Sequence, residues 1–159
     1  MKAGLKLPIG IQTFRKIREE NFYYVDKTAD LHRLVDRGTH YFLSRPRRFG
    51  KSLLIDTLKE LFEGNEALFQ GLSIHDDWDW SLRHPVLRLS FGSGTFQSEG
   101  CLADEVSDQF EALARDASIG LPPAAVTSRF RFLIKALHER TGQPVVVLVD
   151  EYDKPILDA

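Results

Sequence analysis

Apolar residues recur at helical spacing in some stretches of the chain and form unbroken runs in others. Leu54, Leu58, Leu61 and Phe62 share one helical face and stop at Gly64, predicting a helix that starts near Lys51. Leu102, Val106, Phe110, Leu113 and Ala117 predict a second helix. Val126, Phe130, Leu133, Ile134 and Leu137 predict a third, opening after Pro122-Pro123 and ending near Gly142. Three runs read as strands: His40-Tyr41-Phe42-Leu43, then Val86-Leu87-Arg88-Leu89-Ser90-Phe91, then Val145-Val146-Val147-Leu148-Val149. Pro85 in front of the second suits an edge strand. The third lacks polar alternation, the pattern of a parallel strand covered on both faces. Two short helices are expected earlier, one after Thr13 with Phe14 and Ile17, the other after Thr28 with Leu31, Leu34 and Val35 and ending at Gly38. The β-prone run Phe22-Tyr23-Tyr24-Val25 separates them. Strands alternating with helices predict a three-layer α/β fold with a parallel sheet. Residues 1–39 form an N-terminal helical segment in this reading, leading into a core that spans 40–159.

Composition narrows the function without naming it. The chain is 43% hydrophobic and 28% charged, values of an ordinary globular protein. A net charge of -2 gives no global attraction to nucleic acid or acidic membranes, so an anion-binding function has to come from a local cluster. Cys101 is the one cysteine, and the histidines are scattered, which argues against a zinc site. The N-terminus has lysines but no apolar core of a signal peptide, and no run reaches the roughly 20 apolar residues that span a bilayer. The expected location is the cytoplasm.

The local cluster lies at the start of the Lys51 helix. Ser44-Arg45-Pro46-Arg47-Arg48-Phe49-Gly50-Lys51-Ser52 joins the first strand run to that helix, and Gly50-Lys51-Ser52 is the tail of a Walker A motif. Gly50 lets backbone approach phosphates without a Cβ, Lys51 can place its ammonium on the β- and γ-phosphates, and the Ser52 hydroxyl can ligand magnesium. The N-terminus of the helix adds unpaired N–H groups and its positive dipole end. The nucleotide-binding candidates are Arg47, Arg48, Phe49, Gly50, Lys51, Ser52 and Leu53. The first glycine of a full motif is replaced by Arg45. Alone, such a triplet could arise by chance. The second motif, Val145 to Val149 followed by Asp150-Glu151, is of the Walker B kind. A buried strand would deliver its carboxylates to the carboxyl edge of the sheet, where ligands of open α/β sheets bind. Asp150, with Ser52, is the candidate for holding magnesium, and Glu151 the candidate general base that polarises the attacking water.

These strings resemble a known family. Leu7-Pro8-Ile9-Gly10-Ile11, Ile17-Arg18-Glu19-Glu20-Asn21, Tyr24-Val25-Asp26-Lys27-Thr28, the segment Phe42 to Ser52, and Val149-Asp150-Glu151-Tyr152-Asp153-Lys154-Pro155 are similar to the AAA-ATPase-like proteins of bacteria. The resemblance implies a P-loop NTPase fold, ATP and magnesium as ligands, and an arginine at the Arg45 position as a feature of the family. It also implies longer relatives, often with a C-terminal nuclease-like domain of the PD-(D/E)xK kind. By the same comparison the chain, with only eight residues after Glu151, is expected to be the N-terminal portion of an ATPase core, truncated after Walker B and turning over little by itself.

The leading reading is therefore a magnesium-dependent ATP-binding module that hydrolyses ATP in complete form. The alternative is a nucleotide-binding interaction module, or a remnant without turnover. Other features are expected to be structural: Phe14, Ile17 and Tyr24 as packing, Asp76, Asp77 and Asp79 beside Trp78 and Trp80 as a polar loop, and Arg15, Lys16 and Arg18 as a solvated helix face in place of a DNA contact. Oligomerisation is open.

Overall fold

A computed structural model describes residues 4–44, 46, 49–92, 96 and 99–158. The chain divides into two compact units, Met1–Arg83 and His84–Ala159. Together they hold six α-helices and a two-stranded parallel sheet among the described residues.

The first unit is helical. Helix α1 (Phe14–Glu19) packs against α3 (Lys51–Phe62) and a 3₁₀ turn over Glu66–Phe69, and α2 (Thr28–Arg37) stands between α1 and α3 in sequence. Phe14, Ile17, Leu61 and Phe69 are almost wholly buried, each contributing roughly 1.5–3 kcal/mol of apolar burial. The Phe14 ring lies 4.9 Å from that of Phe69 and meets Tyr24 edge-on at 5.1 Å. Thr13 makes no side-chain cap. Instead Asp56, a buried residue of α3, accepts the Phe14 N–H at 2.6 Å and caps α1 from a different helix. Arg15 and Arg18, expected on a solvated face, are engaged. Arg15 reaches the buried Glu60 at 2.8 Å, and Arg18 donates to the carbonyls of Leu68 at 2.7 Å and Gln70 at 2.6 Å.

Asp26 is the fastening point of the loops in this unit. One carboxylate oxygen accepts from the Thr28 N–H at 2.9 Å and hydroxyl at 2.7 Å, and the other accepts from the Ser73 N–H and hydroxyl, both at 2.7 Å. Partial burial pushes the carboxyl up, but these four donors outweigh it and hold the pKa at about 2. Thr28 Oγ1 in turn accepts from the Ile74 N–H at 3.1 Å, so the start of α2 is tied to residues 73 and 74. The Asp76–Trp80 stretch is a series of turns. The Trp80 indole donates to the His75 carbonyl at 2.7 Å, and Asp79 caps Ser81.

Residues 40–43 correct the expected strand, since they form no ladder among the described residues. Tyr41 is half exposed and Phe42 three-quarters exposed, and the Tyr41 hydroxyl donates back to the Leu34 carbonyl. A β-prone run without a neighbour to pair with gains nothing from its propensity. Among the described residues the Phe22–Val25 run likewise yields a single bridge, Lys6 to Phe22.

The second unit holds the sheet. Strands β1 (Val86–Ser90) and β2 (Val146–Asp150) pair in parallel with Val86 opposite Val146 and Ser90 opposite Asp150. Helices α4 (Glu99–Asp116) and α5 (Val126–Thr141) connect them, and a short α6 (Lys154–Asp158) follows. A crossover of this length is what parallel pairing requires. Leu87 of β1 is buried with Ala114 of α4 and with Leu133 and Leu137 of α5. Phe110 stacks on Phe130 with centroids 5.3 Å apart. On the free edge of β1, the Gln109 amide takes the place of a strand. It accepts the Ser90 N–H at 2.9 Å and donates to the Ser90 carbonyl at 2.8 Å. The expected cover on both faces of β2 is not found within this unit. Leu148 and Asp150 are buried, but Val147 and Val149 are each 38% exposed, because the α4–α5 layer is centred on Leu87 of β1.

Candidate functional site

The phosphate-loop candidates sit at the start of α3. Gly50 is the N-cap, with φ 76° and ψ 24°. A Cβ added there would meet nothing within 4 Å, so the glycine is required by its left-handed backbone and not by crowding. The first backbone bond of the helix runs from the Leu54 N–H to the Gly50 carbonyl at 3.0 Å. The N–H groups of Lys51, Ser52 and Leu53 precede that bond and have no intrahelical acceptor, and among the described residues no side chain caps them. Among the described residues, Lys51 has no carboxylate partner and the Ser52 hydroxyl makes no hydrogen bond. Phe49 is 64% exposed beside them. Arg45, Arg47 and Arg48 lie outside the described residues.

The helix behind this terminus is fixed by groups that periodicity does not reveal. Asp56 and Glu60 lie one turn apart on α3 and are buried. Glu60 receives Arg15 at 2.8 Å and Asn65 at 2.7 Å. The sequence signal is two acids at i, i+4 on a helix whose other buried positions are Thr57, Leu58 and Leu61.

The acidic candidates sit at the carboxyl end of β2. Asp150 is 5% exposed. Its Oδ1 accepts the Glu151 N–H at 3.0 Å, its carbonyl accepts the Phe91 N–H at 3.2 Å, and Arg88 of β1 approaches Oδ2 at 3.8 Å. Parallel pairing puts the ends of both strands at the same edge, so Ser90, Phe91 and Gly92 stand beside Asp150 and Glu151. Glu151 has φ 52°, a left-handed conformation uncommon for a side-chain-bearing residue. The turn continues with the Lys154 N–H bonding the Glu151 carbonyl at 3.1 Å, and Lys154 Nζ reaches the Gly92 carbonyl at 2.9 Å. Sequence reasoning singled out neither Gly92 nor Arg88. Gly92 directly follows the apolar run of β1, the one signal that could have marked it.

A groove of about 680 Å³ in the first unit is lined in part by Arg15, Arg18, Trp80 and Arg83 and contains none of the phosphate-loop candidates. Arg15 and Arg18 are occupied by protein groups there, so size alone does not make it the site. Among the described residues, no cluster of three or more His, Cys, Asp or Glu could hold a metal ion, and no helix is long and apolar enough to cross a membrane.

Comparison with known proteins adds a family to this geometry. The family described as Predicted AAA-ATPase (AAA-ATPase-like) matches residues 8–159. A protein of Azotobacter chroococcum mcd 1, described as "Uncharacterized protein in vnfD 5'region", is 56% identical over 154 residues, covering 96% of this chain. The chain spans 30% of the length of that relative. No solved structure matches. The match takes in both the uncapped start of α3 and the acidic end of β2, and the chain belongs to the predicted AAA-ATPase family.

Proposed function

We propose that this chain is the nucleotide-binding part of a P-loop ATPase, with residues 40–159 as its core and ATP with magnesium as its ligand. The observation that carries the reading is the start of α3. Gly50 in the left-handed conformation leaves an uncapped helix terminus, with Lys51 and Ser52 unengaged by protein groups among the described residues. Such a terminus fits an anion, since three N–H groups, a dipole end and an ammonium all favour negative charge. Lys51 holds the β- and γ-phosphates, Gly50, Ser52 and Leu53 contribute backbone, and Phe49, Arg47 and Arg48 flank the nucleotide. Ser52 Oγ and Asp150 are the protein ligands of magnesium, a hard cation that takes few protein oxygens and completes its shell with phosphates and water. Magnesium, when bound, supplies neutralisation of charge on the phosphate oxygens. Glu151 orients water and takes its proton, and Arg88, 3.8 Å from Asp150 Oδ2, helps direct that carboxylate. A cytoplasmic location and a nuclease-like region in longer relatives remain part of this reading.

Titration of a fluorescent ATP analogue with magnesium into wild type and Lys51→Ala tests it. Loss of binding in Lys51→Ala is expected, and equal affinities overturn the assignment.

A further inference from the structure

The geometry points to Gly92 and Lys154 as a positioning device for the Glu151 carboxylate, an inference that rests on the hydrolytic role given to Glu151 above. Three observations meet at the shared carboxyl edge of β1 and β2. Glu151 occupies a left-handed backbone conformation, which aims its side chain away from the line of β2. Its carboxylate then lies against the backbone of the neighbouring strand's end. A Cβ built on Gly92 would stand 2.3 Å from Glu151 Oε2 and 3.0 Å from its Cδ. Lys154, three residues after Glu151, donates to the carbonyl of the same Gly92 at 2.9 Å.

Each part has a reason that ordinary folding does not require. Asp150 ends β2 and bonds the Glu151 N–H with its own side chain, which supports the left-handed turn without any need for Gly92. The glycine at position 92 is needed for space, since its φ is not in the left-handed region and the three nearest atoms in its Cβ direction all belong to the Glu151 carboxyl group. The Lys154 bond fixes where the Gly92 backbone stands, and the Gly92 backbone fixes how far the Glu151 carboxylate can swing. Lys154 therefore acts on Glu151 through Gly92. A carboxylate confined in this way meets the requirement of a general base, whose oxygen must stay within hydrogen-bond reach of one water.

Gly92→Ala is the sharpest probe. To bring Oε2 from 2.3 Å to an ordinary contact of 3.4 Å or more, the carboxylate must retreat by roughly 1 Å. The clashing atoms are the far end of a flexible side chain, so the variant keeps its fold. A misplacement of about 1 Å at a reacting group costs up to about 100-fold in rate. Lys154→Met removes the bond to the Gly92 carbonyl and is expected to cost about 5-fold, with Lys154→Arg restoring most of the loss.

Three readouts on the purified chain decide it: the side-chain carboxyl ¹³C resonance of Glu151 without nucleotide, assigned by its loss in Glu151→Gln; magnesium-ATP affinity; and single-turnover hydrolysis of radiolabelled ATP with protein in excess. Gly92→Ala is expected to move the resonance, leave affinity within about 2-fold, and slow hydrolysis toward the 100-fold limit. In a Glu151→Gln background it should slow hydrolysis no further, since residues acting as one unit are not additive. A resonance unmoved by Gly92→Ala overturns the inference, as does wild-type hydrolysis in Gly92→Ala where Glu151→Gln is inactive. Either of those results leaves the proposed function standing. Absence of ATP binding in the wild type, or full hydrolysis in Glu151→Gln, instead overturns the proposed function and this inference with it.

Discussion

Replacing Asp26 by Asn keeps the shape of the side chain and removes the charge that four donors converge on. The folded carboxyl titrates at about 2 against an ordinary 3.8. At about 1.36 kcal/mol per pH unit, that gap corresponds to about 2.4 kcal/mol. Asp26 is largely exposed, so solvent screening reduces the figure to about 1 kcal/mol. Loss of two of the four acceptor bonds, as the Asn amide turns a donor toward either Thr28 or Ser73, adds an amount of the same order, about 1 kcal/mol. Asp26→Asn should therefore lower the stability of the first unit by about 1–2 kcal/mol at pH 7, a fall of about 1 M in urea midpoint. Both tryptophans, Trp78 and Trp80, lie in that unit, so their fluorescence reports its unfolding selectively. The pH dependence has a definite sign. A depressed folded pKa stabilises above the unfolded value, and the contribution is lost as pH falls through the folded one. The gap between wild type and Asp26→Asn should thus be constant above about pH 5 and shrink between about pH 4 and pH 2. Equal urea midpoints at pH 7, or a gap indifferent to pH across that window, would refute the fastening role of Asp26.

Other perturbations follow from the same geometry. Gly50→Ala forces a side-chain-bearing residue to hold φ 76° and should cost about 1–2 kcal/mol in denaturant unfolding although nothing lies within 4 Å of the new methyl; an unchanged midpoint would contradict the strain. Arg15→Ala leaves the buried Glu60 with Asn65 and the more distant Lys59, and a loss of about 1–3 kcal/mol is expected by tryptophan fluorescence in urea. Leu133→Ala empties a fully buried position among Leu87, Ala114 and Leu137. It should cost about 2–5 kcal/mol, read as faster hydrogen exchange in α4 and α5.

Long periodic segments are legible in the sequence itself. The apolar spacing of Leu54, Leu58 and Leu61 marks α3, and those of α4 and α5 are marked as clearly, because burial of one helical face leaves its period in the sequence. Pro85 before an apolar run marks β1, whose free edge carries the Gln109 amide. Residues 40–43 misled because strand propensity expresses itself only where a partner strand supplies the ladder. Val145 to Val149 misled on cover, since an aliphatic run states what a strand can bury and not what is packed on it. Gly50, Lys51, Ser52, Asp150 and Glu151 stood out through motif spacing. Asp56, Glu60 and Gly92 did not, because their roles arise from contacts across 42 to 59 positions of sequence: Asp56 reaches Phe14, Glu60 reaches Arg15, and Gly92 faces Glu151.

Backbone amide resonances followed during titration with magnesium-ATP test the central claim most directly in a chain of 18.1 kDa. The account predicts saturable shifts at Gly50, Lys51, Ser52 and Leu53 and at Asp150 and Glu151, with the whole set lost in Lys51→Ala. Stationary resonances at the start of α3, or shifts confined to the groove around Trp80 and Arg83, would contradict it.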